Sequence, residues 1–341
     1  MGGIRVGVAG VGSLGFHHAR LLKNLPGATL IGIHDASVER LNHVSAELDI
    51  PAFADLSALL DRVDALVIAV TTRAHETVAR PALERGIHVL IEKPIAATVA
   101  EADRILEAAR GTGALVQIGH VERFNAAIQA CEPYLDEPMF VESHRLAPFG
   151  VRGTDVAVVL DLMIHDLDLV LSLMRRPVQT IAAVGVAVLT TSPDIANARL
   201  EFDGGGVANL TASRISLERM RKIRFFQRSG YISLDLAAGR GEFLRLRPGV
   251  SLEALQAAAS VAATDANGGV VAASSVPSAG LIELVERISL QGVEGEPLQR
   301  ELTSFIAAAS GEAPVPVTGD DGRRALAVAL EIIDRISRHG V

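Results

Sequence analysis

At 341 residues, with 49% hydrophobic side chains and a formal net charge of −8, the chain is long enough for about two domains. The acidic balance argues against a nucleic-acid footprint, and no apolar run reaches the length a membrane-spanning helix needs. The single cysteine, Cys131, excludes an internal disulfide and a cysteine-based zinc site, and no metal is expected.

The opening Met1-Gly2-Gly3-Ile4-Arg5-Val6 enters a strand at once, with no secretory signal pattern, so a cytoplasmic location is expected. Strand Arg5–Val8 runs into Gly10-Val11-Gly12-Ser13-Leu14-Gly15 and then a helix, Leu14–Leu25. That spacing is a dinucleotide cradle: Gly10 turns the backbone sharply, Gly12 leaves room for a pyrophosphate, and Gly15 lets helix and strand pack closely. The helix N-terminus adds free N–H groups and a positive dipole end. The next strand, Thr29–His34, ends in Asp35, twenty residues past Gly15. An acid there accepts hydrogen bonds from both ribose hydroxyls and repels a 2′-phosphate, so NAD is expected over NADP. Ser37 and Arg40 stand close enough to hold such a phosphate, and capping the following helix is the structural role open to Asp35.

The alternation continues. Val38–Leu48 is an amphipathic helix, Ala52-Phe53 a short strand, and Ser57 a cap for Leu59-Leu60-Asp61. Strand Ala65–Val70 is apolar throughout, as expected when both faces are covered. Helix His75–Arg85, strand His88–Ile91, helix Val99–Ala109 opened by Thr98, and strand Ala114–Gly119 complete a doubly wound parallel sheet. This Rossmann-type domain is expected to span residues 1–120. Strand Ile87–Ile91 ends in Glu92-Lys93-Pro94, at the carboxyl edge where ligands bind. Pro94 biases Lys93 to an extended backbone, which places a lysine firmly at that edge.

Residues 121–341 read as a second α/β domain. His120–Asn125 opens a helix through Cys131 and Tyr134, and strand Met139–Leu146 follows. The stretch from Asp155 has helical apolar spacing. Strands Thr180–Leu189, Ala196–Phe202, Gly206–Ile215, Lys222–Gln227 and Tyr231–Leu236 then form an open, mainly antiparallel sheet, with Asp203–Gly206 as a hairpin turn. Its outer face needs a cover, and a homodimer or homotetramer formed through this sheet is expected. Leu252–Gly280 is rich in small residues and nearly uncharged; helices Pro297–Ala309 and Asp320–Arg338 end the chain.

Asp161 and His165 stand four apart on one helical face. A satisfied structural pair is one reading. The other is catalytic: His165 as the proton acceptor, Asp161 orienting its ring, and Lys93 stabilising a developing alkoxide while hydride leaves the neighbouring carbon.

The glycine run Gly10–Gly15, Glu92-Lys93-Pro94, Arg123-Phe124-Asn125 and Asp161-x-x-x-His165, in this order, resemble the glucose-fructose oxidoreductase, inositol dehydrogenase and MocA (Gfo/Idh/MocA) family. The resemblance implies a Rossmann domain followed by an open-sheet α/β domain, and NAD- or NADP-dependent chemistry at a hydroxyl of a sugar or polyol. It puts the catalytic roles on Lys93, Asp161 and His165. It implies cofactor contacts from Gly10, Gly12, Ser13, Leu14, Gly15, Asp35, Arg40, Thr71, His75, Glu92 and Lys93. Substrate contacts are expected from Glu122, Arg123, Asn125, Arg145 and Arg152, the last two as candidates for a diphosphate or else for structural ion pairs. Met163 stands where many members have glycine, Thr71-Thr72 where Thr-Pro is frequent, and Ala126 where proline is common. Asp161–Leu171, with Gly119–Asn125 and Ser143-His144-Arg145 upstream, is similar to the subgroup that oxidises the 3-hydroxyl of UDP-N-acetylglucosamine. That subgroup's 3-keto product goes to an aminotransferase on a route to amino-sugar lipid A. A free-polyol dehydrogenase and a non-catalytic NAD(H) sensor are the competing readings.

Overall fold

The fold was obtained as a computed structural model, which describes residues 3–150, 156–250, 253, 283–293 and 295–339. Arg152 and, apart from Glu253, the stretch Leu252–Gly280 lie outside the described residues.

The first half is a five-stranded sheet in the order β2-β1-β3-β4-β5, made by β1 (Ile4–Ala9), β2 (Ala28–His34), β3 (Ala65–Ile68), β4 (His88–Glu92) and β5 (Val116–Gly119). Every pairing is parallel. Helices α1 (Ser13–Leu22), α2 (Val38–Leu48), α3 (Leu56–Leu60), α4 (His75–Leu83) and α5 (Val99–Thr112) connect the strands. The strand order reverses at β1, so a crevice opens beyond the carboxyl ends of β1 and β3. Local chemistry sets the helix starts. Thr98 and Glu101 form a reciprocal capping box on α5, and Ser37 caps α2. Helix α3 is capped by Asp55, which accepts from the Ser57 N–H. Ser57 is thus a donor inside the first turn and not the cap, because the carboxylate two residues earlier is the stronger acceptor.

The chain then makes α6 (Ala126–Cys131), started by Asn125, whose side chain accepts from the Ala127 N–H. The single long helix expected from His120 is broken into three short pieces, with 3₁₀ turns at Val121–Phe124 and Glu132–Tyr134.

The second sheet has eight strands in the order β13-β12-β11-β10-β6-β9-β8-β7. They are β6 (Phe140–Leu146), β7 (Val178–Val186), β8 (Ile195–Phe202), β9 (Val207–Ser213), β10 (Met220–Gln227), β11 (Gly230–Asp235), β12 (Arg240–Leu246) and β13 (Val285–Gln291). All pairs are antiparallel except β6 with β9. The open, mainly antiparallel sheet of the sequence reading is there, extended by β12 and β13. These two carry charges at Arg240, Glu242, Arg245, Glu286 and Arg287, which masks their alternation. Such charge is usual near a sheet edge, where it discourages pairing with another chain.

One face of this sheet packs on α7 (Ile164–Met174), burying Val141, Leu200, Leu210 and Phe225 against Ile164, Leu167 and Val170. Two last helices tie the halves together. Helix α8 (Pro297–Ala309) returns to the parallel sheet, where Leu302 and Phe305 join Val6, Val8 and Leu22. Helix α9 (Gly319–His339) spans both cores: Leu326 packs with Ile118 and Val116, while Ala325, Ala329 and Ile332 pack with the α7 cluster. Among the described residues no helix is long and apolar enough to cross a membrane.

Candidate active site

The glycine turn has the geometry its sequence implies. Gly10 has φ +85°, and a Cβ there would lie 2.6 Å from the Val70 nitrogen; a Cβ on Gly15 would lie 1.8 Å from the Gly10 oxygen. Only glycine fits either position. A Cβ on Gly12 would meet nothing within 4 Å, so open space lies over the turn where a pyrophosphate has to approach. Gly12 is also the N-cap of α1, with no side chain capping it and no acid in the first turn. A dinucleotide fits this cradle.

Asp35 closes one side of the turn. Its carboxylate accepts from the Val11 N–H at 2.7 Å and the Ser37 N–H at 2.8 Å. Arg40 is tied to the same turn: Nε donates to the Val11 oxygen at 2.7 Å, and the guanidinium covers the Phe16 ring. Ser37, not Asp35, caps α2. Thr71 precedes a 3₁₀ turn beyond β3 and is exposed.

Two residues expected at the cofactor face inward instead. His75 is buried, with Nδ1 3.0 Å from the Pro94 oxygen and Nε2 3.2 Å from the Val70 oxygen. It braces the end of β3 against the Lys93-Pro94 turn, and burial pushes its pKa down. Glu92 is buried as well, its Oε1 2.7 Å from His18 Nε2.

Lys93 projects from the end of β4 to the helix that crosses above it. Its Nζ donates to the Asp161 carbonyl at 2.7 Å and lies 3.8 Å from Asp161 Oδ1. Asp161 sits in a π-helical turn, Val159–Met163, immediately before α7, and His165 lies in the first turn of α7. The structure thus brings Lys93, Asp161 and His165 to one place, joining the two halves of the chain. The expected orienting bond from Asp161 to the His165 ring is absent among the described residues: the carboxylate is drawn to the lysine ammonium. His165 Nδ1 is buried and unpartnered among the described residues.

Burial is the main cause that pushes the His165 pKa well below its ordinary value, and the charges of Lys93, Arg145 and Arg221 and the neighbouring His120 act in the same direction. The imidazole is therefore neutral at pH 7 and ready to accept a proton. The acid limb of kcat/KM is expected well below the ordinary histidine value of about 6.5. A pH profile checks this, and a limb at or above that value would exclude His165 as the group that must be unprotonated.

Four of the five expected substrate residues turn out to be braces. Arg145 is 3% exposed. It bonds Asp166 through Nη2 at 2.6 Å and Nε at 3.0 Å, and Glu122 through Nη1 at 2.8 Å. Glu122 is spent on Arg145 and on the Asn125 amide, and Asn125 donates also to the Leu236 oxygen. Arg123 forks onto Asp168 at 2.6 and 2.7 Å. Held between two buried carboxylates, the Arg145 cation already has its charge neutralised and its fork engaged, so it is poorly placed to bind a diphosphate. Arg152 lies outside the described residues. A more exposed cation beside Arg145 was not singled out from the sequence: Arg221 of β10, paired in register with it, with a side chain 44% exposed and a 3.5 Å contact to Glu122. Its position beside Arg145 on the helix-facing side of the sheet was hidden until β6 and β10 were known to pair.

A family model described as "Oxidoreductase family, NAD-binding Rossmann fold" matches residues 4–120, and the GFO/IDH/MocA C-terminal domain matches residues 117–233. The chain belongs to the Gfo/Idh/MocA oxidoreductase family. Among its relatives, UDP-N-acetylglucosamine 3-dehydrogenase of Acidithiobacillus ferrooxidans is 36% identical over 96% of both chains. A solved structure of that enzyme superposes with a TM-score of 0.86 at 34% identity, covering 99% of each chain. The scyllo-inositol 2-dehydrogenase (NAD(+)) of Bacillus subtilis is 27% identical over 62% of this chain and 68% of its own. A probable dehydrogenase of Thermotoga maritima, at 22% identity and a TM-score of 0.76 over 98% of this chain and 97% of its own, shares the fold. As a Gfo/Idh/MocA member the protein is an oxidoreductase with an NAD-binding Rossmann fold, and its Lys93, Asp161 and His165 stand at the junction of the two family domains.

Proposed function

We propose that this family member is a cytoplasmic, NAD-dependent UDP-N-acetylglucosamine 3-dehydrogenase. It oxidises the sugar 3-hydroxyl to the 3-keto sugar nucleotide, a product suited to an aminotransferase in amino-sugar and lipid A synthesis. The observation that carries the reading is the 36% identity to such an enzyme over 96% of the chain, whereas inositol dehydrogenases match shorter stretches at lower identity. NAD is favoured because Asp35 borders the cradle and Arg40 is already engaged with Val11 and Phe16.

When bound, the nicotinamide supplies the hydride acceptor. The chain's own residues do the rest. Neutral His165 takes the hydroxyl proton. Lys93, its ammonium fixed by the Asp161 carbonyl at 2.7 Å, stabilises the alkoxide that develops as hydride departs. Asp161 holds the lysine in place, and Arg221 meets the diphosphate in place of the buried Arg145.

The test is the absorbance of reduced nicotinamide when protein and NAD meet UDP-N-acetylglucosamine, free N-acetylglucosamine or myo-inositol. A rise with the nucleotide sugar alone is expected. A rise with inositol alone would make this a polyol dehydrogenase, and no rise in any sample from protein free of prebound NADH would make it a binding-only sensor.

The proposal extends to assembly as a homodimer or homotetramer through the second sheet. The face away from α7 exposes Val184, Val186, Phe226 and Leu246, with Phe226 ringed by Phe140 and Tyr231. Val184→Asp together with Phe226→Asp is expected to reduce the particle to a lower-order species by light scattering; an unchanged mass would reject this face as the contact.

A further inference from the structure

His165 must hand on the proton it takes, and behind it lies a run of polar groups with nothing to bond. His165 Nδ1, both ring nitrogens of His120, Nδ1 of His18, Oε1 of Gln117 and both carboxyl oxygens of Glu301 are buried without a hydrogen-bond partner among the described residues. Buried polar atoms are nearly always satisfied, by protein or by internal water. A cluster of such orphans therefore marks where internal water sits.

Strand register and hydrogen bonds draw these groups together. Glu92 pairs in register with Gly119, the residue before His120, and its Oε2 lies 2.9 Å from where a Gly119 Cβ would stand. The absent side chain keeps open the space between Glu92 and β5. Glu92 Oε1 takes a 2.7 Å hydrogen bond from His18. Gln117 Nε2, on the same strand as Gly119, reaches the Glu301 carbonyl of α8 at 3.3 Å. His165 lies within electrostatic reach of His120, and both His120 and Glu301 within reach of Glu92. Arg123 and Asp168, which also border His120, are committed to each other.

We propose that these side chains enclose a train of internal water along which the proton accepted by His165 passes, by way of His120, to the Glu92 carboxylate. The substrate O–H bond breaks as an N–H bond forms at His165 Nε2. The N–H at Nδ1 then breaks, and the transfer ends as an O–H bond on Glu92, with no electrons moved beyond the hydride. The proton is held beside the site and returned when the reaction runs backward. His120 is a positioning and relay residue, since its ring nitrogens are closed off from the cleft.

The inference rests on His165 being the base, and the experiment separates the two. Enzyme preloaded with NAD is mixed rapidly with the substrate it oxidises, in weak buffer with a pH-indicator dye. Reduced nicotinamide is expected to form without a stoichiometric proton appearing in the same phase; a full equivalent released with the hydride would overturn the relay. His120→Phe keeps much of the ring volume and removes both nitrogens. It is expected to slow the hydride phase about ten-fold and to let the proton escape with it. Unchanged rate and stoichiometry in that variant would overturn the relay, and if the variant does not fold, the wild-type stoichiometry decides. A high-resolution crystal structure gives a readout independent of turnover: ordered water bonded to His120 and Glu301 is expected, and a dry cluster would refute the train. Full turnover in His165→Ala would instead defeat the base assignment.

Discussion

Lys93→Met is expected to lower kcat by about 10³-fold while the variant still binds NAD and folds normally. Methionine keeps most of the side-chain volume and removes the charge. That charge has two duties: stabilising the alkoxide, and keeping the nearby His165 neutral. Losing the first raises the barrier. Losing the second raises the proton affinity of His165, because Lys93 is among the cations that depress it. The acid limb of kcat/KM should therefore move up in pH in the variant, a signature that a simple loss of packing would not give. The stability cost is small. The Asp161 carboxylate that is left behind is 35% exposed, so water replaces the ammonium beside it at a cost within about 1 kcal/mol. Turnover within a few-fold of wild type would remove Lys93 from the chemistry, and kcat with a pH profile on both proteins decides it.

Much of this was legible in the chain because the signals are local. Gly10, Gly12 and Gly15 announce a turn whose backbone demands are met within six residues, and the β-α alternation up to Gly119 follows from period and caps. Lys93 is placed by its position after a buried strand. The substrate side was not legible, because it depends on which strands become neighbours. Arg145 reads on its own as a free cation before a catalytic helix. The 3₁₀ turn after β5 and the packing of α7 surround it with Glu122 and Asp166, and pairing of β6 with β10 puts the more exposed Arg221 beside it. The same holds for His75 and Glu92. Each sits next to a motif residue, yet strand alternation turns Glu92 inward toward His18, and the Pro94 turn brings carbonyls onto His75. The π-helical turn at Val159–Met163 has no apolar signature distinct from an ordinary helix. The four-residue spacing of Asp161 and His165 puts the two on neighbouring helical turns, but the partner that Asp161 takes is Lys93, from the end of β4.

Arg145→Met is expected to destabilise the fold by about 3–5 kcal/mol, because a buried cation bridging two carboxylates is removed and both anions stay behind. Glu122 and Asp166 are 6% and 2% exposed, so solvent cannot take the place of the guanidinium. Ser143 bonds Asp166 at 2.8 Å, which satisfies a lone pair and leaves the charge. Arg221 stands 3.5 Å from Glu122, too far to replace the 2.8 Å bond from Arg145. A loss of this size lowers Tm by roughly 4–7 °C in a protein of this length. Arg221→Met makes the contrast: with a side chain 44% exposed and one long contact, it should change stability by no more than about 1 kcal/mol. If Arg221 faces the diphosphate, that variant instead raises KM for the nucleotide sugar, with kcat reduced less. Chemical denaturation of both variants without ligand, alongside their kinetics, distinguishes brace from ligand contact. An Arg145→Met protein as stable as wild type but with a raised KM would return the diphosphate to Arg145. The opposite pattern identifies Arg145 as the buried post on which Glu122, Asp166 and the helix carrying His165 are hung.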